Sequence, residues 1–153
     1  MFSQFIDSPL GLIRISATSD GITEVLFTDR SGDTTPSPLT ELAAQQLQAY
    51  FAGSLQQFSL PLAASGTAFQ QQVWQALCTV PFGVTCSYAD IARRIGNEQA
   101  VRAVGAANGR NPIAIVVPCH RVIGANGTLT GYAGGLDKKA WLLKHEQRQP
   151  ALF

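Results

Sequence analysis

Ser87-Tyr88-Ala89-Asp90-Ile91-Ala92-Arg93-Arg94-Ile95-Gly96-Asn97-Glu98-Gln99-Ala100-Val101-Arg102-Ala103-Val104-Gly105-Ala106-Ala107 is the stretch on which the fold of this chain turns. Ser87 and Asp90 form a capping-box pattern, and the helix they open ends at Gly96. Asn97 caps a second helix that runs to about Ala107. A short helix, a tight glycine turn and a second helix make a candidate helix-turn-helix. The pair has two readings: plain helix packing, or a surface presented to nucleic acid. The second helix is rich in small residues, Ala100, Ala103, Gly105, Ala106 and Ala107, with Arg102 among them. Small side chains let a helix backbone come close to another surface. That surface is either the preceding helix or a nucleic-acid groove into which Arg102 reaches.

Toward the N-terminus, Thr67 and Gln70 repeat the capping-box pattern ahead of Phe69, Val73, Trp74 and Leu77, and Pro81-Phe82-Gly83 is a turn. Ala63-Ala64-Ser65-Gly66 reads as a linker, which divides the chain into residues 1–65 and 66–153. In the first part, residues 11–17 and 22–28 read as strands joined at Asp20-Gly21, a hairpin signal. Phe2–Ile6 adds a third strand. A helix starts at Pro38 with Ser37 as N-cap, carries Leu39, Leu42, Ala43, Leu47, Tyr50 and Phe51 as its apolar stripe, and ends at Gly53. Gln57–Leu62 is a further edge strand.

Composition sets the outer bounds. A chain of 153 residues suits one domain or two small ones. No segment approaches the ~18 apolar residues of a membrane span, and the start lacks the basic and apolar regions of a secretory signal. The cytoplasm is therefore expected. The net charge of +1 hides an asymmetry: residues 1–65 carry two basic and six acidic side chains, residues 66–153 nine basic and four acidic. A basic half beside an acidic half points to a polyanionic partner, or simply to an uneven solvated surface. Cys78, Cys86 and Cys119 show no CxxC or CxxH spacing, and His120 and His145 are the only histidines, so no metal site is expected.

Toward the C-terminus, Asn111-Pro112 leads into Ile113-Ala114-Ile115-Val116-Val117, apolar on both faces and therefore buried. This run delivers Pro118-Cys119-His120-Arg121. Gly124, Gly127, Gly131, Gly134 and Gly135 follow, in a loop able to wrap a ligand or to act as a flexible turn. Asp137 caps a last helix that carries Trp141, Leu142 and Leu143 and ends near Glu146. A thiolate is the strongest nucleophile among side chains, but a buried thiol resists ionisation unless a base or positive field is close. His120 is such a base, and Glu146 is the carboxylate able to orient it, in the logic of a catalytic triad. The alternative is an inert core cysteine beside a satisfied histidine and a surface glutamate.

Ile115-Val116-Val117-Pro118-Cys119-His120-Arg121-Val122 closely resembles the active-site signature of the O6-alkylguanine-DNA alkyltransferase (methylated-DNA–protein-cysteine methyltransferase) family. The resemblance covers roughly residues 67–147. It includes Val73-Trp74-Gln75-Ala76-Leu77, Pro81-Phe82-Gly83, Ser87-Tyr88, Arg102-Ala103-Val104-Gly105, Asn111-Pro112, Gly131-Tyr132-Ala133-Gly134-Gly135 and Trp141-Leu142-Leu143-Lys144-His145-Glu146. The first 65 residues match only in length and in strand-strand-helix pattern. The resemblance implies an α/β N-terminal domain, a small antiparallel sheet with a helix, ribonuclease-H-like. A mostly helical, winged helix-turn-helix-like C-terminal domain follows.

What the resemblance implies about chemistry is specific. Glu146 and His120 act through a water to draw the proton from Cys119, whose thiolate attacks the alkyl carbon of O6-alkylguanine, and the implied substrates extend to O4-alkylthymine. Tyr88 donates a hydrogen bond to the guanine and crowds the DNA backbone. The carbonyls of Cys119 and Val122 read the guanine edge, the Ala133 N–H faces O6, and Asn111 holds the turn. Arg102 fills the gap left by the extruded nucleotide, and Arg121 and Gly134 complete the DNA or substrate contacts. O6 lies inside the stack, so the base must be flipped out. The thioether has no easy route back, so transfer is stoichiometric and needs no cofactor. Some family members carry a structural zinc in the N-terminal domain; this chain lacks the ligands. The implied partner is double-stranded DNA containing O6-alkylguanine, met by a monomer with no membrane. Relatives of the same fold that only bind lesions have tryptophan at the nucleophile position, where this chain has Cys119. A helix-turn-helix regulator with a silent cysteine, or a cysteine hydrolase, leaves Pro-Cys-His-Arg with Glu146 unexplained. Two further expectations follow: the Cys119 thiol titrates below the ~8.5 of free cysteine, and Cys78, packed on its helix, and Cys86 are dispensable.

Overall fold

The computed structural model describes residues 1–132 and 134–147. Among the described residues the chain forms two compact units: Met1–Ser65 with Pro112–Ala114, and Gly66–Asn111 with the residues from Ile115 to Gln147. Among the described residues, no helix is long and apolar enough to cross a membrane.

In the first unit, strands β1 (Phe2–Ile6), β2 (Leu12–Thr18) and β3 (Gly21–Thr28) form an antiparallel sheet in that order. Ile13, Ile15 and Ala17 alternate to one face of β2 and are fully buried, as the two-residue strand period requires. Arg14 leans across the other face to Glu24 at 3.6 Å. Helix α1 (Pro38–Phe51) packs on this sheet. Ser37 and Thr40 close a capping box at its start, and Pro38 occupies the first turn, where its missing N–H costs nothing. At its end Gly53 adopts φ 84°, with Gly53 N–H donating to Tyr50 O and Ser54 N–H to Ala49 O, a Schellman motif. The buried stripe is Thr40, Ala43, Ala44, Leu47 and Tyr50; Leu42, read above as apolar stripe, is exposed. The segment 57–62 is not a strand. Only Leu62 bridges β3, through Ile22 N–H to Pro61 O (2.8 Å) and Ala63 N–H to Ile22 O (2.7 Å). The backbones meet so closely there that a Cβ on Gly21 would lie 2.8 Å from Pro61 O.

The second unit holds α2 (Ala68–Leu77), β4 (Cys86–Ser87), α3 (Tyr88–Arg94), α4 (Val101–Gly109), β5 (Val122–Ile123) and α5 (Leu136–Gln147), with a single 3-10 turn at Cys119–Arg121. Both capping boxes read from the sequence, Thr67/Gln70 and Ser87/Asp90, open their helices. Gly96 (φ 74°) ends α3 in a second Schellman motif, with Asn97 N–H on Ala92 O and Gly96 N–H on Arg93 O. Asn97 therefore terminates α3 and does not cap α4, which starts at Val101 without a side-chain cap. Trp74 anchors the unit: its indole N–H donates to Ala107 O at 2.9 Å, and Gly66 lies so close to the ring that a Cβ would meet it at 2.5 Å. Cys78 is exposed at the end of α2, not packed on the helix. The 113–117 run is not buried on both faces. Ile113, Ile115 and Val117 are buried, Ala114 and Val116 half-buried, and Ile113 alone bridges a strand, β3. Ile115 takes φ 72°, which a β-branched residue rarely adopts and which ends any strand there. Asp137 lies inside the first turn of α5, and the backbone carbonyl of Gly135 accepts the bond from Lys139 N–H that opens the helix.

Candidate active site

The 3-10 turn at Cys119–Arg121 follows Pro118 and sets three side chains in the interior: Cys119, His120 and Arg121 are all buried. Helix α5 faces this turn with Glu146, itself buried. His120 Nε2 lies 2.7 Å from Glu146 Oε2. Arg121 grips the same carboxylate in a fork, Nε to Oε1 at 2.8 Å and a terminal N–H to Oε2 at 3.0 Å, while its other terminal nitrogen donates to Val80 O at 2.7 Å. The guanidinium also lies over the Phe82 ring. Arg121, expected above among the DNA or substrate contacts, is buried and turned inward, where Glu146 and Val80 O accept three of its N–H groups.

The protonation states follow. Burial works against a charged Glu146, but the bonds from His120 and Arg121 outweigh it and hold the carboxyl down at about 2. An ionised carboxylate only accepts, so His120 Nε2 carries the hydrogen. Burial pulls His120 below its ordinary range despite Glu146, leaving a neutral ring whose Nδ1 holds the free lone pair. That Nδ1 is buried without a hydrogen-bond partner among the described residues. Burial pushes the Cys119 thiol up, against a hydrogen bond from Asn111 and the charge of Lys139. The expected low thiol titration is thus reversed in the resting protein. The proton must be taken by a base during reaction.

Asn111 also donates to Val117 O at 2.9 Å, so it holds the chain on the approach to Cys119. Asn108, buried near the end of α4, places its amide nitrogen 3.5 Å from Cys119 O. Arg102 stands apart from this cluster on the exposed face of α4 with Val101, Ala103, Ala106 and Arg110. Gly105 turns the other way, toward the Tyr88 ring. Gly105 meets the preceding helix, and Ala103 and Ala106 are exposed beside Arg102. Tyr88, the first residue of α3, has its hydroxyl 2.8 Å from Thr130 Oγ1. Gly134 is half-buried in the turn before α5, and Ala133 lies outside the described residues.

Sequence reasoning missed Lys139. It is fully buried, and its Nζ donates to Val122 O and Thr130 O, each at 2.6 Å. Val122 O, expected to read the guanine edge, therefore shares its lone pairs with an internal ammonium. A signal was available: Lys139, Leu142 and Glu146, the buried residues of α5, are spaced i, i+3, i+7 along one face.

Residues 68–148 match the model of the 6-O-methylguanine DNA methyltransferase DNA binding domain, and residues 1–64 that of its ribonuclease-like domain. The methylated-DNA–protein-cysteine methyltransferase of Mycolicibacterium paratuberculosis is 50% identical over 94% of this chain and 90% of its own. That of Methanosarcina acetivorans is 50% identical over 95% of this chain and 98% of its own. The Mycobacterium tuberculosis OGT solved in complex with DNA is 49% identical, with a TM-score of 0.89 over 99% of this chain and 96% of that one. Fold, cysteine cluster and relatives converge: the chain belongs to the 6-O-methylguanine DNA methyltransferase family.

Proposed function

We propose that this protein directly reverses DNA alkylation damage by moving the alkyl group from O6 of guanine in double-stranded DNA to Sγ of Cys119, once per molecule. The observation that carries the reading is the buried Cys119–His120–Glu146 cluster within a DNA-binding domain. His120 Nδ1 takes the thiol proton through a water. The imidazolium is supported by Glu146, which Arg121 holds in place. The sulfur attacks the alkyl carbon, an S–C bond forms, the C–O6 bond breaks, and its electron pair leaves with guanine, which takes a proton. Tyr88 is the donor at that base. The carbonyls of Cys119 and Val122 and the Gly134 backbone contact it. Arg102, on the open face of α4, occupies the space of the flipped nucleotide. The thioether has no leaving path, so no turnover follows and no cofactor is required. The protein acts as a cytoplasmic monomer.

Mass spectrometry after incubation with DNA containing O6-methylguanine tests this. A lasting gain of one methyl, mapped to Cys119 and absent from Cys119→Ser, is the expected result. A gain on Cys78 or Cys86, or release of the methyl with turnover, would overturn it.

A further inference from the structure

Thr130 has no role in the proposed chemistry, yet it joins two of its parts. Its hydroxyl lies 2.8 Å from the Tyr88 hydroxyl. Its carbonyl accepts from the buried Lys139 Nζ at 2.6 Å, and the same ammonium holds Val122 O at 2.6 Å. Val122 and Thr130 bracket the segment 123–129, which closes on itself through Gly124 N–H to Thr128 O at 2.8 Å and Gly127 N–H to Gly124 O at 2.8 Å. The ammonium therefore pins both ends of that loop, and Thr130 is held in place by its own backbone.

From this junction we infer that Thr130 is a positioning residue for Tyr88, presenting the phenol so that its proton points to the departing guanine. The chemistry follows from donor count. A hydroxyl has one proton and two lone pairs. The Tyr88 hydroxyl also makes a long contact, 3.5 Å, with Thr130 O; with Thr130 Oγ1 donating to the phenolic oxygen, the phenolic proton leaves that weak contact for the base. As that proton shifts toward guanine, the Thr130 O–H stabilises the charge that grows on the phenolic oxygen, and Lys139, one carbonyl away, adds a positive field. The inference rests on the reading of Tyr88 as the donor at the base.

Single-turnover methyl transfer from O6-methylguanine DNA, measured for wild type, Thr130→Val, Thr130→Ser and Tyr88→Phe and for the Thr130→Val/Tyr88→Phe pair, is the test. Valine keeps the branched shape and removes the hydroxyl; Thr130→Ala is the second hydroxyl-free variant should valine fail to fold. Loss of a hydrogen bond in a partly buried site is expected to slow transfer roughly tenfold in Thr130→Val, with Thr130→Ser within about twofold of wild type. In the Tyr88→Phe background Thr130→Val should change nothing further, which a merely structural role would not produce. Equal rates for wild type and Thr130→Val, or the same loss in both backgrounds, overturn the role of Thr130 while leaving the functional reading intact. A wild-type protein that transfers no methyl overturns both.

Discussion

Helices α1 and α5 each bury one stripe, and the stripes are chemically opposite. In α1 the buried residues are Thr40, Ala43, Ala44, Leu47 and Tyr50; in α5 they are Lys139, Leu142 and Glu146. The first stripe gains free energy by leaving water. The second loses solvation on two charges and recovers it only through designed partners, two carbonyls for Lys139 and His120 with Arg121 for Glu146. A helix built for stability alone would bury leucines at 139 and 146. Instead α5 buries a carboxylate, Glu146, against the turn bearing Cys119, and an ammonium, Lys139, against Val122 just after it.

The comparison can be broken or sharpened by substitution on each helix. Leu47→Ala, in the α1 stripe, should cost about 2–5 kcal/mol of unfolding free energy, with the transfer rate per folded molecule unchanged; urea melts and single-turnover kinetics read the two. Glu146→Gln should slow transfer about 100-fold, because an amide cannot support a positive His120. DNA affinity should stay near wild type, and the melting temperature should also fall, since Arg121 loses its carboxylate. An unaltered rate at neutral pH would remove Glu146 from the relay.

Acid should find α5 before α1. His120 is held neutral in the fold and protonates more readily when unfolded, so stability falls as pH drops below its ordinary 6.5. Glu146 continues the loss from its ordinary 4.5 down to about 2. That carboxyl accounts for on the order of 3 kcal/mol across its window. Urea midpoints across this range should therefore slope, and Glu146→Gln should flatten the lower part. A wild-type profile as flat as that variant's would mean the carboxylate is not held by its partners. The smallest effect belongs to α1: Thr40→Ala removes one side of the capping box and a 2.7 Å bond to Gln4, and should cost about 1 kcal/mol in thermal unfolding with no kinetic signature.

What the sequence determined by itself is what depends on near neighbours. The Thr67/Gln70 and Ser87/Asp90 boxes, the Ser37 cap, the hairpin at Asp20-Gly21 and the stops at Gly53 and Gly96 all form among residues a few positions apart, so residue order carries them. Pro118-Cys119-His120-Arg121 was legible for the same reason, as one unbroken motif. Where the pattern invited a longer-range guess, it failed. The 57–62 segment looked like a strand and the 113–117 run looked buried on both faces, but each touches β3 at a single bridge, because extended apolar residues become a strand only when a partner backbone runs beside them. Asn97 looked like a cap, but the end of α3 takes its N–H. Only the tertiary structure decided that Arg121 turns inward to Glu146, 25 positions away, and that Lys139 crosses 17 positions to Val122. A charged side chain enters an interior only when its partners are already there to receive it, and those partners are assembled by the fold, not by their order along the chain.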